Sequence, residues 1–204
     1  PESKLHVILH GVDTQYYCPP VSRQSDDPAM LKCLMVGSTE RDHEFLAELM
    51  KRLPPSSFQL TALTHYDYRH YYADCPNVKI PEYLDEKALL ALYQQSDLLL
   101  MPMLDCTANN AILESMACGT PIMANRIGGI VEYADPSCNY LMEGKRLDEW
   151  TCLLDQIVRD RCGLNVRRQR VRKWVESFDW RRVAKEYQAL YSRLFEETRQ
   201  GCAC

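Results

Sequence analysis

Residues 97–129 read DLLLMPMLDCTANNAILESMACGTPIMANRIGG and contain the pattern that decides the fold. An apolar run at 97–103 is followed by a helical pattern at 109–118 and a second apolar run at 121–127. Short continuous apolar runs are typical of strands that are buried on both faces of a parallel sheet. The stretch therefore predicts a strand–helix–strand unit that ends in a Gly-Gly loop.

The same alternation extends to both sides of this unit. Strands are predicted at 31–37 and 58–64, and a short one interrupted by Pro81 is predicted at 77–84. An amphipathic helix follows the first of them, and Asp85 is predicted to cap the next helix. This order predicts an α/β fold in which a doubly wound parallel sheet has helices on both faces.

The two ends of the chain carry further patterns. An apolar run at 5–9 resembles one more strand, and residues 179–200 form an amphipathic closing helix, a C-terminal helical tail. We expect one domain over 1–204, with its core at about 20–178. Since the first residue is not Met, we expect the chain to be part of a longer protein. One face of the closing helix is apolar: Trp180, Val183, Tyr187, Leu190, Tyr191 and Leu194.

The composition is that of an ordinary soluble protein, with 46% hydrophobic and 25% charged residues among 204. No apolar run is long enough to cross a membrane. The net charge of −4 gives no electrostatic argument for nucleic-acid binding. The ten cysteines include no CxxC pair, and Cys202 and Cys204 are too close together for a usual zinc site. Reduced thiols in a cytoplasmic protein are therefore predicted.

The carboxyl ends of parallel strands share one edge of a sheet, and ligands bind beyond that edge. The helix that begins near Asn109 follows a strand, so its free amide groups attract anions there. Thr107, Asn109 and Asn110 are small and polar, and Glu114 lies one turn above Asn110, where its carboxylate could accept two hydrogen bonds from a ribose diol. The alternative is a pair of capping asparagines beside a solvated glutamate.

Two other loops at this edge carry candidate residues. In VGSTERD a strand ends at Gly37 and a helix follows, so Arg41 could clamp a diphosphate or simply lie on the first helical turn. In NRIGGIVEY, Gly128 and Gly129 permit close backbone approach, and Glu132 could face the cleft or belong to an ordinary turn.

Two clusters have weaker signals. His65 and His70 have no third ligand at a suitable spacing, so no metal site is predicted. VRRQRVRKW at 166–174 carries five positive charges on a predicted helix. This run is either a solvated face or a weak contact with an anionic membrane surface.

These motifs together resemble one family. SDLLLMPM followed by TANNAILESMACGTPIMANRIGGIVEY is similar to the donor-binding half of retaining GT-B glycosyltransferases of the glycosyl transferase group 1 family. VILHGVDTQYYCPP resembles the family's linker, LMVGSTERD its first strand and phosphate loop, and FDWRRVAKEYQALY its closing helix. The resemblance covers about residues 5–195 and implies a Rossmann-like domain that binds a nucleotide sugar, with the N-terminal acceptor domain absent.

The resemblance also implies roles for single residues. Glu114 matches the glutamate that holds the donor ribose, while Ser38 and Arg41 match the phosphate-contacting loop. Glu82 and Tyr83 follow the strand that frames the base. The remaining donor-binding residues implied are Gly37, Asp105, Thr107, Asn109, Asn110, Gly128, Gly129 and Glu132. With Arg41, Glu114 is expected to act on the donor without proton transfer, ionised at its ordinary pKa of about 4.3.

The sequence departs from the family in two places. The first of two glutamates usual in the family falls on Cys106, beside Asp105, which could replace it if the loop shifts by one residue. His43 stands near the place of a phosphate-loop lysine.

The resemblance implies sugar transfer with retention from a UDP- or GDP-linked donor to an unknown acceptor, without a metal or other cofactor. A non-catalytic nucleotide-binding module of the same fold and half of a nucleotide-sugar epimerase are the alternatives. Apolar surface that would meet the absent domain predicts self-association.

Overall fold

The computed structural model describes residues 5–23 and 29–201, with the side chains of 199–201 left out. Residues 24–28, which belong to a stretch predicted from the sequence QSDDPA to be a polar loop, and the pair Cys202 and Cys204 lie outside the described residues. The strands are β1 (Leu31–Val36), β2 (Phe58–Leu63), β3 (Val78–Lys79), β4 (Leu98–Met101), β5 (Ile122–Asn125) and β6 (Tyr140–Met142). The helices are α1 (His43–Arg52), α2 (Glu86–Gln95), α3 (Asn110–Ala117), α4 (Ile130–Tyr133), α5 (Leu147–Arg159), α6 (Arg161–Val175) and α7 (Trp180–Gly201). Two 3-10 segments occur at Tyr66–Tyr72 and Glu176–Phe178.

The six strands form one parallel sheet in the order β3-β2-β1-β4-β5-β6. Helices α1 and α5 pack together on one side, while α2, α3 and α6 pack together on the other. The predicted doubly wound α/β fold with a C-terminal helix is thereby confirmed. The strand order reverses between β1 and β4, so the connection after β1 runs toward one edge of the sheet and the connection after β4 runs toward the other. This divergence opens a crevice beyond the carboxyl ends of the two strands.

Local sequence explains the position of most elements. Every residue of β4 and of β5 is buried, as their continuous apolar runs predict. Side chains of Asp42, Asp85 and Asn109 accept hydrogen bonds from backbone amides in the first turns of α1, α2 and α3. Each cap satisfies a donor that the helix itself cannot satisfy.

Two sequence expectations about strands are wrong. The apolar run at 5–9 forms no strand, and Leu5 and Val7 are exposed, because this segment lies along α7 and not beside a sheet edge. Further along this segment, Val12 forms an isolated parallel bridge with Asp179. The strand predicted at 77–84 is reduced to two residues, since the chain leaves the sheet before Pro81, which has no amide proton for a ladder.

Candidate functional site

The loops that follow β1 and β4 are joined to each other at the crevice. Arg41 and Met103 form an antiparallel bridge. The amide of Asp42 donates to the Pro102 carbonyl at 2.9 Å, and the amide of Leu104 donates to the Glu40 carbonyl at 2.9 Å. Two loops that are about sixty residues apart in sequence therefore form one rigid rim.

Arg41 lies inside this rim. Its guanidinium donates to the carbonyls of Val36 at 3.1 Å and Thr39 at 2.8 Å, and to the side chain of Asn109 at 3.4 Å. Three of its five N–H donors are thus used within the protein. Burial lowers the pKa of Arg41 from its ordinary value. Its side chain covers Gly37, where φ is +101° and a Cβ atom would lie 2.7 Å from Nη2.

The start of α3 faces the same crevice. Asn109 is buried and caps the helix, because its Oδ1 accepts from the amide of Ile112 at 3.4 Å. Asp105, Thr107 and Asn110 are exposed around it. The rim thus combines a helix N-terminus with a neighbouring guanidinium, an arrangement that suits an anionic ligand.

Glu114 is half-buried, so the alternative of a solvated glutamate does not describe this side chain. Its Oε2 accepts a hydrogen bond from the Tyr93 hydroxyl at 2.9 Å, and Tyr17 lines the same cavity as the carboxylate. Burial raises the pKa of Glu114 from its ordinary value, and the two tyrosine side chains partly oppose that shift. The assumption of an unperturbed carboxylate is therefore corrected, because desolvation disfavours its charged form.

Glu114 and Asn110 line a cavity of about 230 Å³. Its other walls come from the segment at 10–13, from Tyr17 and from Trp180 at the start of α7. The cavity lies beside the predicted donor residues, although most of its walls come from parts of the chain that no donor motif contains.

The Gly-Gly loop packs directly on the loop after β4. Gly128 has φ +49°, and the amide of Gly129 donates to the Cys106 carbonyl at 2.6 Å. Asp105 folds back on its own loop, accepting from the amide of Cys106 at 2.7 Å. Glu132 is exposed on α4. This loop therefore supports the β4–α3 rim through backbone contacts.

The thiol of Cys106 is buried and donates to the Thr107 carbonyl at 3.0 Å. Burial raises its pKa, so the thiol stays protonated and neutral. At this position the side chain therefore does not supply the acceptor oxygens of a carboxylate.

The remaining predicted residues differ in their surroundings. The Ser38 hydroxyl lies 3.1 Å from that of Thr64 and accepts from the amide of His65 at 2.7 Å. Glu82 and Tyr83 are exposed beyond β3, at the edge of the sheet.

Several contributors were missed by the sequence interpretation. Tyr17 and Tyr93 hold Glu114. Lys145, from the loop after β6, pairs with Asp42.

His43 is buried, with Nε2 bonded to the Ser38 carbonyl at 3.1 Å and Nδ1 to the Tyr72 hydroxyl at 2.8 Å. Since its pKa is lowered by burial, His43 acts as a neutral brace for the loop after β1 and not as the missing cation.

Among residues 5–23 and 29–201, no group of three or more His, Cys, Asp or Glu side chains is arranged to hold a metal ion. The same part of the chain contains no helix with the length and apolar character needed to cross a membrane.

Comparison with known proteins gives consistent findings. A family model described as "Glycosyl transferases group 1" matches residues 19–160. The D-inositol 3-phosphate glycosyltransferase of Paenarthrobacter aurescens (strain TC1) is 24% identical over 208 residues, which cover 89% of this chain and 50% of the relative. The chain spans about half the length of the curated relatives that it matches over most of its length.

Two solved structures have the same fold. Sucrose-phosphate synthase from Thermosynechococcus elongatus superposes with a TM-score of 0.82 at 20% identity, over 94% of this chain and 53% of that one. Anabaena HepE, solved in complex with UDP and glucose, superposes with a TM-score of 0.75 at 15% identity, over 96% of this chain and 58% of that one.

Proposed function

The chain belongs to the glycosyl transferases group 1 family, and from that premise we propose that it binds a nucleoside-diphospho-sugar as the donor half of a retaining glycosyltransferase. The observation that carries the proposal is the position of Glu114. Its carboxylate lines a cavity within one helical turn of an exposed α3 N-terminus, at the point where the strand order reverses.

The rim supplies the groups that sugar transfer from a diphosphate requires. Negative charge develops on the leaving diphosphate, and the amides at the start of α3 together with the Arg41 guanidinium would stabilise that charge. Glu114 would accept hydrogen bonds from the ribose hydroxyls and so orient the donor. We assign proton transfer to neither residue, and no metal or other cofactor is part of the proposal.

The donor is proposed to carry UDP or GDP. The solved Anabaena protein of this fold binds UDP and glucose, which supports UDP as the first nucleotide to test. A hexose as the transferred sugar, retention at the anomeric carbon, the acceptor and a cytoplasmic location remain parts of this proposal, as does a weak contact between α6 and an anionic membrane surface.

The experiment that tests this proposal is a calorimetric titration of the wild type and of Glu114→Gln with UDP, GDP and ADP. We expect one diphosphate to bind, with an affinity at least about tenfold lower in the variant, since a hydrogen bond to a charged group is lost. Glu48→Gln, on the exposed side of α1, is the matched control. Equal binding of that diphosphate to the wild type and Glu114→Gln would remove the assigned role of Glu114.

Cys106 favours a second candidate, a non-catalytic nucleotide-binding module. Its buried neutral thiol stands where the resemblance places a carboxylate. The two candidates differ in one measurement. A module binds the intact nucleotide sugar and leaves it unchanged, whereas a transferase consumes it once the complementary domain and an acceptor are supplied.

The exposed face of α7 is proposed to pack against the acceptor-binding domain. Tyr187, Tyr191 and Leu194 are exposed on this helix, and the rings of Tyr187 and Tyr191 stack at 6.4 Å. Val183 on the same apolar face is buried, whereas these three side chains remain exposed within residues 5–23 and 29–201. Left uncovered, such a face favours association between copies.

We therefore expect the chain by itself to self-associate at high concentration and Tyr187→Ser/Tyr191→Ser to shift it toward monomer. Sedimentation velocity over a concentration series measures this shift. Lys185→Ser/Glu186→Ser changes the same helix without removing aromatic area and serves as the control. Equal association of both variants and the wild type contradicts the assignment of the face.

A further inference from the structure

Two tyrosines that belong to none of the donor motifs converge on Glu114. Tyr93 lies on α2, is completely buried, and donates its hydroxyl proton to Glu114 Oε2 at 2.9 Å. Tyr17 lies in the segment before β1, is half-buried, lines the same cavity as the carboxylate, and lowers the pKa of Glu114. Their rings meet edge to face at 6.1 Å. The carboxylate is thus held from two separate parts of the chain.

The tyrosines are themselves held in place. The hydroxyl of Thr120 donates to the Tyr93 carbonyl at 2.7 Å, which fixes the end of α2 against the turn that follows α3. The side chain of Gln94 donates to the Cys18 carbonyl at 2.8 Å, which ties the segment containing Tyr17 to the same helix. Both hydroxyls therefore approach Glu114 from a rigid frame.

The number of acceptor sites on the carboxylate is limited. An ionised carboxylate has about four lone-pair sites, and Tyr93 occupies one of them. The others suffice for a vicinal pair of ribose hydroxyls. A partly buried charged group is also costly unless it is hydrogen-bonded, so the tyrosines favour the ionised form of Glu114.

We propose that Tyr93 and Tyr17 are positioning residues that aim the Glu114 carboxylate at the donor ribose and thereby set the preference of the site for ribonucleotides over 2′-deoxyribonucleotides. This inference rests on the proposed function, because it takes the ribose as the partner of Glu114. It adds a determinant of specificity that lies outside the motifs of the sequence.

The groups around Glu114 determine in which direction its pKa shifts, and therefore how nucleotide binding depends on pH. Burial raises the pKa of Glu114, the side chains of Tyr93 and Tyr17 lower it, and the nearby charges of Glu86 and His10 raise and lower it respectively. Asp13 also lines the cavity. Removing a tyrosine hydroxyl therefore raises the pKa of Glu114 further. Because the ionised form of Glu114 accepts the ribose hydrogen bonds, acidification weakens nucleotide binding. In such a variant this weakening occurs at a higher pH than in the wild type.

The test compares wild type, Tyr93→Phe and Tyr17→Phe by calorimetry with UDP and 2′-deoxy-UDP, and with GDP and 2′-deoxy-GDP, between pH 5 and 8. For the ribonucleotide that binds, we expect each variant to lose about tenfold in affinity. The loss for the 2′-deoxy analogue should be at most about twofold, so that the ribose preference falls. The pH below which the nucleotide affinity falls should be higher in each variant than in the wild type. Tyr16→Phe removes the hydroxyl of the neighbouring residue and is the matched control.

A double-mutant cycle separates positioning from general damage to the fold. If Tyr93 acts through Glu114, then Tyr93→Phe causes no further loss in a Glu114→Gln background. A similar loss in both backgrounds, or an unchanged ribose preference in both tyrosine variants, overturns the inference.

The failure of the proposed function gives a different result. In that case Glu114→Gln binds ribonucleotides as the wild type does, or neither nucleotide binds at all, and the ribose part of the inference falls with it. A carbon-13 NMR titration of the Glu114 carboxyl then decides the remaining part, since an equal pKa in wild type and Tyr93→Phe shows that the tyrosine does not control the carboxylate.

Discussion

Alanine at position 128 is expected to lower the free energy of unfolding by about 2–4 kcal/mol and to abolish nucleotide binding. Gly128 has φ +49°, a conformation that costs residues with a Cβ atom roughly 1–2 kcal/mol. The added Cβ would also lie 3.0 Å from the carbonyl carbon of Cys106 and still closer to its oxygen. Since backbone atoms cannot rotate away as a side chain does, the two loops must separate.

That separation breaks the hydrogen bond from the Gly129 amide to the Cys106 carbonyl and moves the residues that precede α3. The effect on binding therefore comes through the β4–α3 rim. Urea unfolding measures the stability and calorimetry measures nucleotide binding.

Gly144→Ala is the matched control, because a Cβ at that position meets nothing within 4 Å and its φ is not positive. Its stability should stay within about 0.5 kcal/mol of the wild type. If Gly128→Ala unfolds at the same urea concentration as Gly144→Ala, the result contradicts the close approach of the Gly-Gly loop to the loop after β4.

Asp97→Ala is expected to destabilise the protein by about 3–5 kcal/mol, as the loss of one partner from a buried ion pair does. The Asp97 carboxylate accepts from Arg168 Nη2 at 2.9 Å and from the amide of Lys32 at 2.9 Å, and it lies 3.3 Å from Arg161. Only 10% of the Arg168 side chain is exposed. Burial lowers the pKa of Arg168 to about 10, which shows how much its charge depends on a partner.

Asp97 precedes β4 and lies at the amino end of the sheet, opposite the crevice. Nucleotide binding by the folded variant should therefore equal that of the wild type, in contrast to Gly128→Ala. Chemical unfolding and calorimetry at a temperature where both proteins are folded check the two statements. Asp148→Ala is the control, since this carboxylate is 94% exposed and pairs with Arg52 at the surface, an interaction within about 1 kcal/mol. An equal, small effect of both substitutions would contradict the buried network.

The fold was predicted well where local patterns act alone. Continuous apolar runs become β1, β4 and β5, the strand predicted at 58–64 becomes β2, and Asp85 caps α2 as expected. The prediction failed for residues 5–9, because an apolar run becomes a strand only where a neighbouring strand is available to pair with it, and this run lies against α7.

The site was predicted in part. The parallel order of strands places the loops after β1, β4 and β5 at one edge, and Arg41, Asn109 and the Gly-Gly loop do meet there. The sequence did not indicate that Arg41 is largely engaged by backbone carbonyls, nor that Asp105 is bonded to its own loop. These contacts depend on loop conformations that no periodic pattern describes.

The sequence by itself determined the alternation of strands and helices, the capping residues, the glycines that permit close backbone approach, and therefore the edge of the sheet where a ligand is expected to bind. Only the tertiary structure decided that Tyr17 and Tyr93 meet Glu114, that this carboxylate is half-buried with a raised pKa, and that Lys145 reaches Asp42. The physical reason is the distance along the chain over which each effect acts. Apolar periodicity and caps act within a few residues along the chain, whereas desolvation and side-chain hydrogen bonds depend on distances between segments that only the packed fold brings together.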